Sequence, residues 1–176
     1  MHHASLRRAR PLVQALIAAL VLSACGAGAA SGGQTDDAPK IPTAAFANAQ
    51  TVDGTIFDAE PLAGRDTVAW FWAPWCTSCR AEAPDVARIA ALYSDKVTTI
   101  GVAGRGKQAE MAQFVSDTGV GSFAQLADLD GSIWSAFGIY GQPAYAFINN
   151  DGTVEVFVGS LGKKSLTERF EQLINS

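Results

Sequence analysis

The chain has 176 residues, 48% apolar and 17% charged, with nine Phe, four Trp and three Tyr; this is too apolar for disorder and suits one core better than two. A formal net charge of −4 gives no electrostatic support for nucleic-acid binding, which rests on Lys and Arg neutralising phosphates. Three Cys and two His could form a four-ligand zinc cage only if nearly all converged on one point, which their positions oppose.

At the N-terminus, Arg7, Arg8 and Arg10 precede Pro11 to Ala24, a run whose only polar members are Gln14 and Ser23. Basic residues before a short apolar run predict an export signal over residues 1–24, and the run falls short of the roughly 20 residues that span a membrane. Leu22-Ser23-Ala24-Cys25 resembles the lipobox of bacterial lipoproteins, which implies cleavage before Cys25 and a diacylglyceryl anchor on its thiol. The other reading is ordinary secretory cleavage nearby and a secreted product. Each buried acyl CH₂ contributes roughly 0.8 kcal/mol, and two chains suffice for lasting attachment. Cleavage there leaves 10 basic against 17 acidic residues, a charge of −7, and removes both His. Ser-His and Cys-His catalysis are thereby excluded. Residues 25–40, rich in Ala, Gly, Ser and Asp without periodicity, read as a lipidated flexible tether.

Residues 41–176 alternate strand-like and helical patterns, as in an α/β domain. Ala44 to Ala49 and Thr55 to Asp58 around Val52-Asp53-Gly54 predict a short hairpin. Thr67 to Trp72 reads as a buried central strand, and Cys76 to Tyr93 as a helix with Val86, Ile89, Ala90 and Tyr93 on its apolar face. Val97 to Ala103 predicts a strand and Lys107 to Asp117 a helix. Ala144 to Ile148 and Val154 to Val158 flank the turn Asn149-Asn150-Asp151-Gly152. A last helix is expected to open at a capping box, Ser165-Leu166-Thr167-Glu168, and to end near Ile174.

Cys76-Thr77-Ser78-Cys79 lies where a buried strand hands over to a helix. Free backbone N–H groups and the positive end of the helix dipole stabilise a thiolate there, so Cys76 is expected to attack and Cys79 to resolve. A structural disulfide closing so small a loop would constrain the unfolded chain little. A dithiolate Cu(I) carrier is the metal alternative, with Met111 the sole methionine beyond the signal.

Phe71-Trp72-Ala73-Pro74-Trp75-Cys76-Thr77-Ser78-Cys79 resembles the active site of the thioredoxin superfamily, and Arg80-Ala81-Glu82-Ala83-Pro84 narrows the likeness to its extracytoplasmic TlpA/ResA/DsbE branch. Leu126 to Trp134 and Gln142-Pro143-Ala144-Tyr145-Ala146-Phe147 make the chain most similar to the actinobacterial DsbE/DsbF-type oxidoreductases. The resemblance implies a thioredoxin-like α/β fold, a central mixed β-sheet flanked by helices, here with the N-terminal β-hairpin extension. It implies a redox-active Cys76–Cys79 disulfide as the only cofactor and no metal, with Trp75 covering the pair. Pro143 matches the cis-proline facing the disulfide, the Gln142 backbone would pair with a substrate peptide, and Pro84 matches a helix kink. From the residues alone, Gln142-Pro143 permits a cis bond without demanding one.

Glu82 matches the branch's acid three residues after the second cysteine. At i and i+3 it shares a helix face with Cys79 and could carry that thiol's proton; a solvated surface carboxylate is the alternative. One departure stands out: thioredoxins carry a buried aspartate six residues before the first cysteine, and here Trp70 occupies that place. The implied activity is oxidation of cysteines in exported proteins on the extracytoplasmic face of the bacterial cell membrane, with recharging by a membrane thiol oxidase. The alternatives are a reductase serving cytochrome c maturation, recharged by a membrane electron carrier, and a non-catalytic Cu(I)-binding or chaperone-like lipoprotein.

Two motifs carry less. Gly101 to Lys107 reads G-x-x-x-x-G-K, but Gln108 replaces the hydroxyl that would hold Mg²⁺, and a flexible strand-to-helix turn is expected. Asp128, Asp130 and Gly131 lack the remaining ligands of a calcium loop and are expected to form a turn capping a helix at Ser132.

Overall fold

Six consecutive buried residues, Thr67–Trp72, form β1 at the centre of the sheet, where a strand covered on both faces needs apolar side chains pointing both ways. The computed structural model describes residues 43–176; the export signal expected over 1–24, Cys25 and the tether over 25–40 lie outside them. After β1 come α1 (Thr77–Leu92), β2 (Thr98–Ala103), α2 (Gln108–Thr118), β3 (Ala124–Ala127) and α3 (Ser132–Ala136). The hairpin β4 (Ala144–Ile148) and β5 (Val154–Val158) and then α4 (Lys163–Ile174) complete the chain. The sheet order is β3-β2-β1-β4-β5, with β1, β2 and β3 parallel and β4 antiparallel to both β1 and β5. This is the mixed sheet that the resemblance implied. No helix among the described residues is long and apolar enough to cross a membrane.

Alternation along the strands divides the core into two layers. Val68, Trp70, Trp72, Tyr145 and Phe147 face α1, α2 and α4, packing on Val86, Ile89, Phe114, Leu166 and Phe170. Ala69, Phe71, Ile100, Val102, Leu126 and Ala146 face the other way, onto Phe46, Leu62, Trp134 and Phe137. Pro84 lies inside α1, which runs through it, although a proline leaves the carbonyl four residues back without its amide partner.

The N-terminal extension differs from the expected hairpin. Thr43–Phe46 is a 3-10 turn, not a strand, because Phe46 turns inward to stack on Phe137 with 5.3 Å between ring centroids. Beyond it the Val52-Asp53-Gly54 turn is present, but its arms meet only at the bridge Gln50–Ile56, and Thr51 bridges to Leu126 at the edge of the sheet. The last helix also opens earlier than expected. Gly162 is its N-cap without any capping side chain, and the Thr167 hydroxyl bonds back to the Lys163 carbonyl. The expected capping box at Ser165–Glu168 is therefore not formed; the buried Leu161 and Leu166 place the break at the glycine between them. β3, which the sequence patterns did not predict, is a four-residue strand that carries the buried polar Gln125.

Gln125 explains Gly101. Its amide oxygen accepts the Trp72 indole N–H at 3.0 Å while its nitrogen donates to the Val120 carbonyl at 2.8 Å. A Cβ on Gly101 would lie 1.9 Å from that oxygen and 2.9 Å from the indole nitrogen. Gly101→Ala is expected to destabilise the fold by roughly 2–4 kcal/mol, combining overpacking with a broken buried hydrogen bond. Urea denaturation of the single variant and of Gly101→Ala/Gln125→Ala measures this, the pair being less destabilised than the sum of its parts because the clash is relieved.

Candidate active site

The C-terminal ends of β1 and β2 and the start of β4 meet at one edge of the sheet, since Trp72 pairs with Ala103 and Phe71 with Ala144. Ala127 at the end of β3 pairs with Ala103 at the same edge. Four loops therefore gather there: Ala73–Cys76, Gly104–Lys107, Asp128–Gly131 and Tyr140–Pro143. These loops hold every site residue expected from the sequence except Cys79 and Glu82, which follow on α1, and Cys25, which lies outside the described residues.

Cys76 is the N-cap of α1, with an extended backbone, and is bonded to Cys79 in a disulfide with a Cα separation of 5.3 Å. The Cys79 backbone N–H points at Cys76 Sγ at 3.1 Å. An N-cap side chain accepts one of the amides that a helix leaves free; here the acceptor is sulfur, and the same amide and the helix dipole favour its negative charge on reduction. Cys76 keeps a small exposed area, 6%, whereas Cys79 has none. The two cysteines are thus unequal in exposure, and only the Cys76 sulfur faces a helix amide.

Trp75 is 59% exposed, and its indole N–H donates to the Arg105 carbonyl at 2.7 Å. A shallow groove of about 480 Å³ runs beside it along Pro74, Arg80, Ala109, Glu110 and Gln113. The Gln142–Pro143 peptide bond is cis, which the residues alone left open. Pro143 is buried at the start of β4, and its carbonyl accepts the Gly159 amide at 2.8 Å. Among the described residues no group of three or more His, Cys, Asp or Glu could hold a metal ion.

Glu82 is not a surface carboxylate. It is 8% exposed, and its Oε1 accepts the Trp70 indole N–H and the Tyr145 hydroxyl, each at 2.8 Å. Trp70 and Tyr145 are themselves cross-strand partners on β1 and β4. The tryptophan standing where thioredoxins carry an aspartate thus binds a carboxylate delivered from α1. The other oxygen, Oε2, is buried without a hydrogen bond; Ser160 and the Leu161 backbone favour its anion only from outside bonding geometry. Burial dominates and raises the Glu82 pKa above 4.5, with the Tyr145 and Trp70 bonds opposing it. Burial, followed by the nearby Glu82 charge, pushes the Tyr145 phenol far up, so it remains a donor. Glu82 can therefore exchange a proton nearer neutrality than an ordinary carboxyl, one helical turn from Cys79.

The loop after β2 is packed rather than a flexible turn: a Cβ on Gly106 would lie 2.4 Å from Pro74 Cγ. Asp128 is buried and accepts the Ile133 and Trp134 amides at 3.2 and 2.8 Å, and Asp130 accepts that of Ser132. These carboxylates, ahead of the Gly131 N-cap, cap α3, with Ser132 its first residue. Burial raises the Asp128 pKa against the pull of those two amides. Sequence reasoning missed Arg105 and Tyr145. The only sign of Arg105 was an arginine between two glycines directly after a strand.

The Redoxin family model matches residues 35–168. Soluble secreted antigen MPT53 of Mycobacterium tuberculosis is 42% identical over 105 residues, an alignment spanning 60% of this chain and 60% of that relative, less than two thirds of its length. A solved structure of MTB DsbF in its mixed oxidized and reduced forms is 44% identical, with 76% of this chain and 98% of that one covered and a TM-score of 0.70. A secreted Mycobacterium tuberculosis disulfide oxidoreductase homologous to E. coli DsbE is 35% identical, with 73% and 98% covered and a TM-score of 0.68. With its mixed five-stranded sheet, its cysteine pair capping the first helix and its cis-proline at the same edge, this chain belongs to the Redoxin family and has a thioredoxin-like fold.

Proposed function

We propose that this protein is an extracytoplasmic thiol-disulfide oxidoreductase that oxidises cysteines of exported proteins. The observation that carries the reading is the inequality of the two cysteines: Cys76 caps the helix, accepts an amide and keeps a small exposure, while Cys79 is fully buried. Similarity to a secreted disulfide oxidoreductase and to the thiol:disulfide interchange protein DsbE of Pseudomonas aeruginosa, 26% identical over 113 residues, supports it.

In the proposed reaction a substrate thiolate attacks Cys76 Sγ, the Cys76–Cys79 bond breaks, and Cys79 leaves as a thiolate that takes a proton from Glu82 or water. A second substrate thiolate then attacks the substrate sulfur of the mixed disulfide and expels Cys76. Two electrons pass from substrate to the cysteine pair, and the substrate gains one disulfide. When the pair is reoxidised the Cys79 thiol gives its proton back to the Glu82 carboxylate or to water. Trp75 shields the pair, and the backbone beside Pro143 holds the substrate chain. The disulfide is the only redox group the cycle requires; a membrane thiol oxidase that accepts two electrons recharges it. A diacylglyceryl group on Cys25 keeps the domain at the outer face of the cell membrane.

Four experiments test the reading. Cys79→Ala is expected to trap a mixed disulfide with substrate through Cys76, whereas Cys76→Ala traps none; a protein that binds Cu(I) and never forms the mixed disulfide is the non-catalytic lipoprotein instead. Titration of the pair against glutathione sets the direction, with a tenfold change in equilibrium per about 30 mV. A potential near or below roughly −270 mV, that of thioredoxin, removes the oxidase assignment in favour of a reductase. Cys25→Ala is expected to move the protein from the membrane fraction to the medium; unchanged fractionation removes the anchor. For Glu82, the raised pKa gives a sign. Below pH 4.5 the carboxyl is protonated whether folded or not, and as pH rises through the folded pKa the wild type loses stability that an uncharged side chain keeps. The melting temperature of wild type relative to Glu82→Gln is therefore expected to fall from pH 4 to pH 8, while turnover of the variant drops because the resolving thiol loses its proton carrier.

A further inference from the structure

Arg105 has no part in the exchange chemistry proposed above, yet it bonds both loops that border the disulfide. It sits at φ 56°, a region a non-glycine residue occupies only where its surroundings hold it. Its carbonyl accepts the Trp75 indole N–H at 2.7 Å. Its guanidinium donates from Nη1 to Gln142 Oε1 at 3.1 Å and from Nη2 to the Tyr140 carbonyl at 2.8 Å. Beneath it, the Trp134 ring lies 5.0 Å from the guanidinium carbon. Trp134 is in turn fixed by its indole bond to the Val102 carbonyl and by the Asp128 cap on its amide.

One side chain and its own carbonyl therefore set the spacing between the Trp75 loop and the Tyr140–Pro143 loop. Each loop presents an exposed aromatic ring, Trp75 at 59% and Tyr140 at 77%. The Trp75 ring is held through its indole N–H, and the Tyr140 ring is carried on a backbone held at its carbonyl; exposed rings contribute to binding an apolar stretch of polypeptide when the loops that carry them are set before the partner arrives. A lysine could not do this: it lacks the planar fork that reaches two acceptors at once.

We infer that Arg105 is a positioning residue that holds Trp75 and Tyr140 as the two walls of a slot for an unfolded polypeptide with apolar residues beside its cysteine. The inference rests on the thiol-exchange reading and deepens it: the slot discriminates polypeptide thiols from small thiols, which need no walls.

The test compares oxidation of a reduced peptide with two leucine-flanked cysteines and of dithiothreitol by the oxidised wild-type protein, Arg105→Lys, Arg105→Gln and Gln142→Ala. The ratio of the second-order rate constant for the peptide to that for dithiothreitol, each measured in a single turnover of the oxidised protein, is expected to fall about tenfold in both Arg105 variants. Gln142→Ala, which removes one acceptor of the fork and leaves the charge in place, lowers the same ratio and keeps the test intact if an Arg105 variant does not fold. Equal losses with both thiols, or full rescue by lysine, show that the cation acts on the sulfurs through its charge and overturn the inference. An unchanged ratio overturns it too. Wild-type protein that oxidises neither thiol overturns the exchange reading on which the slot depends, an outcome distinct from the others because it appears before any substitution.

Discussion

A single buried carboxylate joins the three elements on which the site is built. Glu82 reaches from the cysteine-bearing helix α1 and takes one hydrogen bond from Trp70 on β1 and one from Tyr145 on β4. Burying an unpartnered charge is costly, and hydrogen bonds to charged groups stabilise by roughly 1.5–3 kcal/mol each. Two such bonds from cross-strand neighbours make this position tolerable and fix the helix over the sheet at one height. Because Oε2 remains without a bond, the group is left short of full compensation, and burial keeps its pKa raised. The same arrangement that anchors the helix thus supplies the raised pKa on which the proton-carrier role proposed for Glu82 rests.

Around that anchor the sheet edge acts as a frame. Parallel strands β1, β2 and β3 end there and the antiparallel β4 begins there, so four loops from distant parts of the chain come together. Their mutual packing is close: Gly106 abuts Pro74, Trp75 bonds to Arg105, and Arg105 bonds to Gln142 and Tyr140. Asp128 caps α3 and holds Trp134 below Arg105. A frame of this kind holds the cysteine pair and the cis-proline on mutually bonded loops, and a preorganised surface lowers the ordering cost of association with the proposed substrate. The exchange proposed for Cys76 depends on this, since a thiolate is selective only when it is offered in one geometry.

Much of this was legible in the sequence, and for a local reason. β1, α1, α2 and the β4–β5 hairpin are set by periodicity and turn residues within short windows, and the structure places them within a residue or so of expectation. The cysteine pair was identifiable because its chemistry depends on four adjacent residues and on the strand-to-helix boundary beside them. The last helix went differently: Ser165 to Glu168 satisfies a capping pattern, yet burial of Leu161 and Leu166 moved the start to Lys163. In the N-terminal extension, Phe46 found a partner in Phe137, ninety-one positions away, and no hairpin pattern could anticipate that.

The sequence by itself determined β1, α1, β2, α2 and the strands of the β4–β5 hairpin, the placing of the cysteine pair at a strand-to-helix boundary, and the identity of an acid one helical turn past Cys79, because each follows from near neighbours in the chain. Only the tertiary structure decided that this acid is buried under Trp70 and Tyr145, that the Gln142–Pro143 bond is cis, and that Arg105 bonds both loops. Those outcomes depend on desolvation and on the direction of hydrogen bonds between residues dozens of positions apart, which exist only once the sheet has brought them into contact.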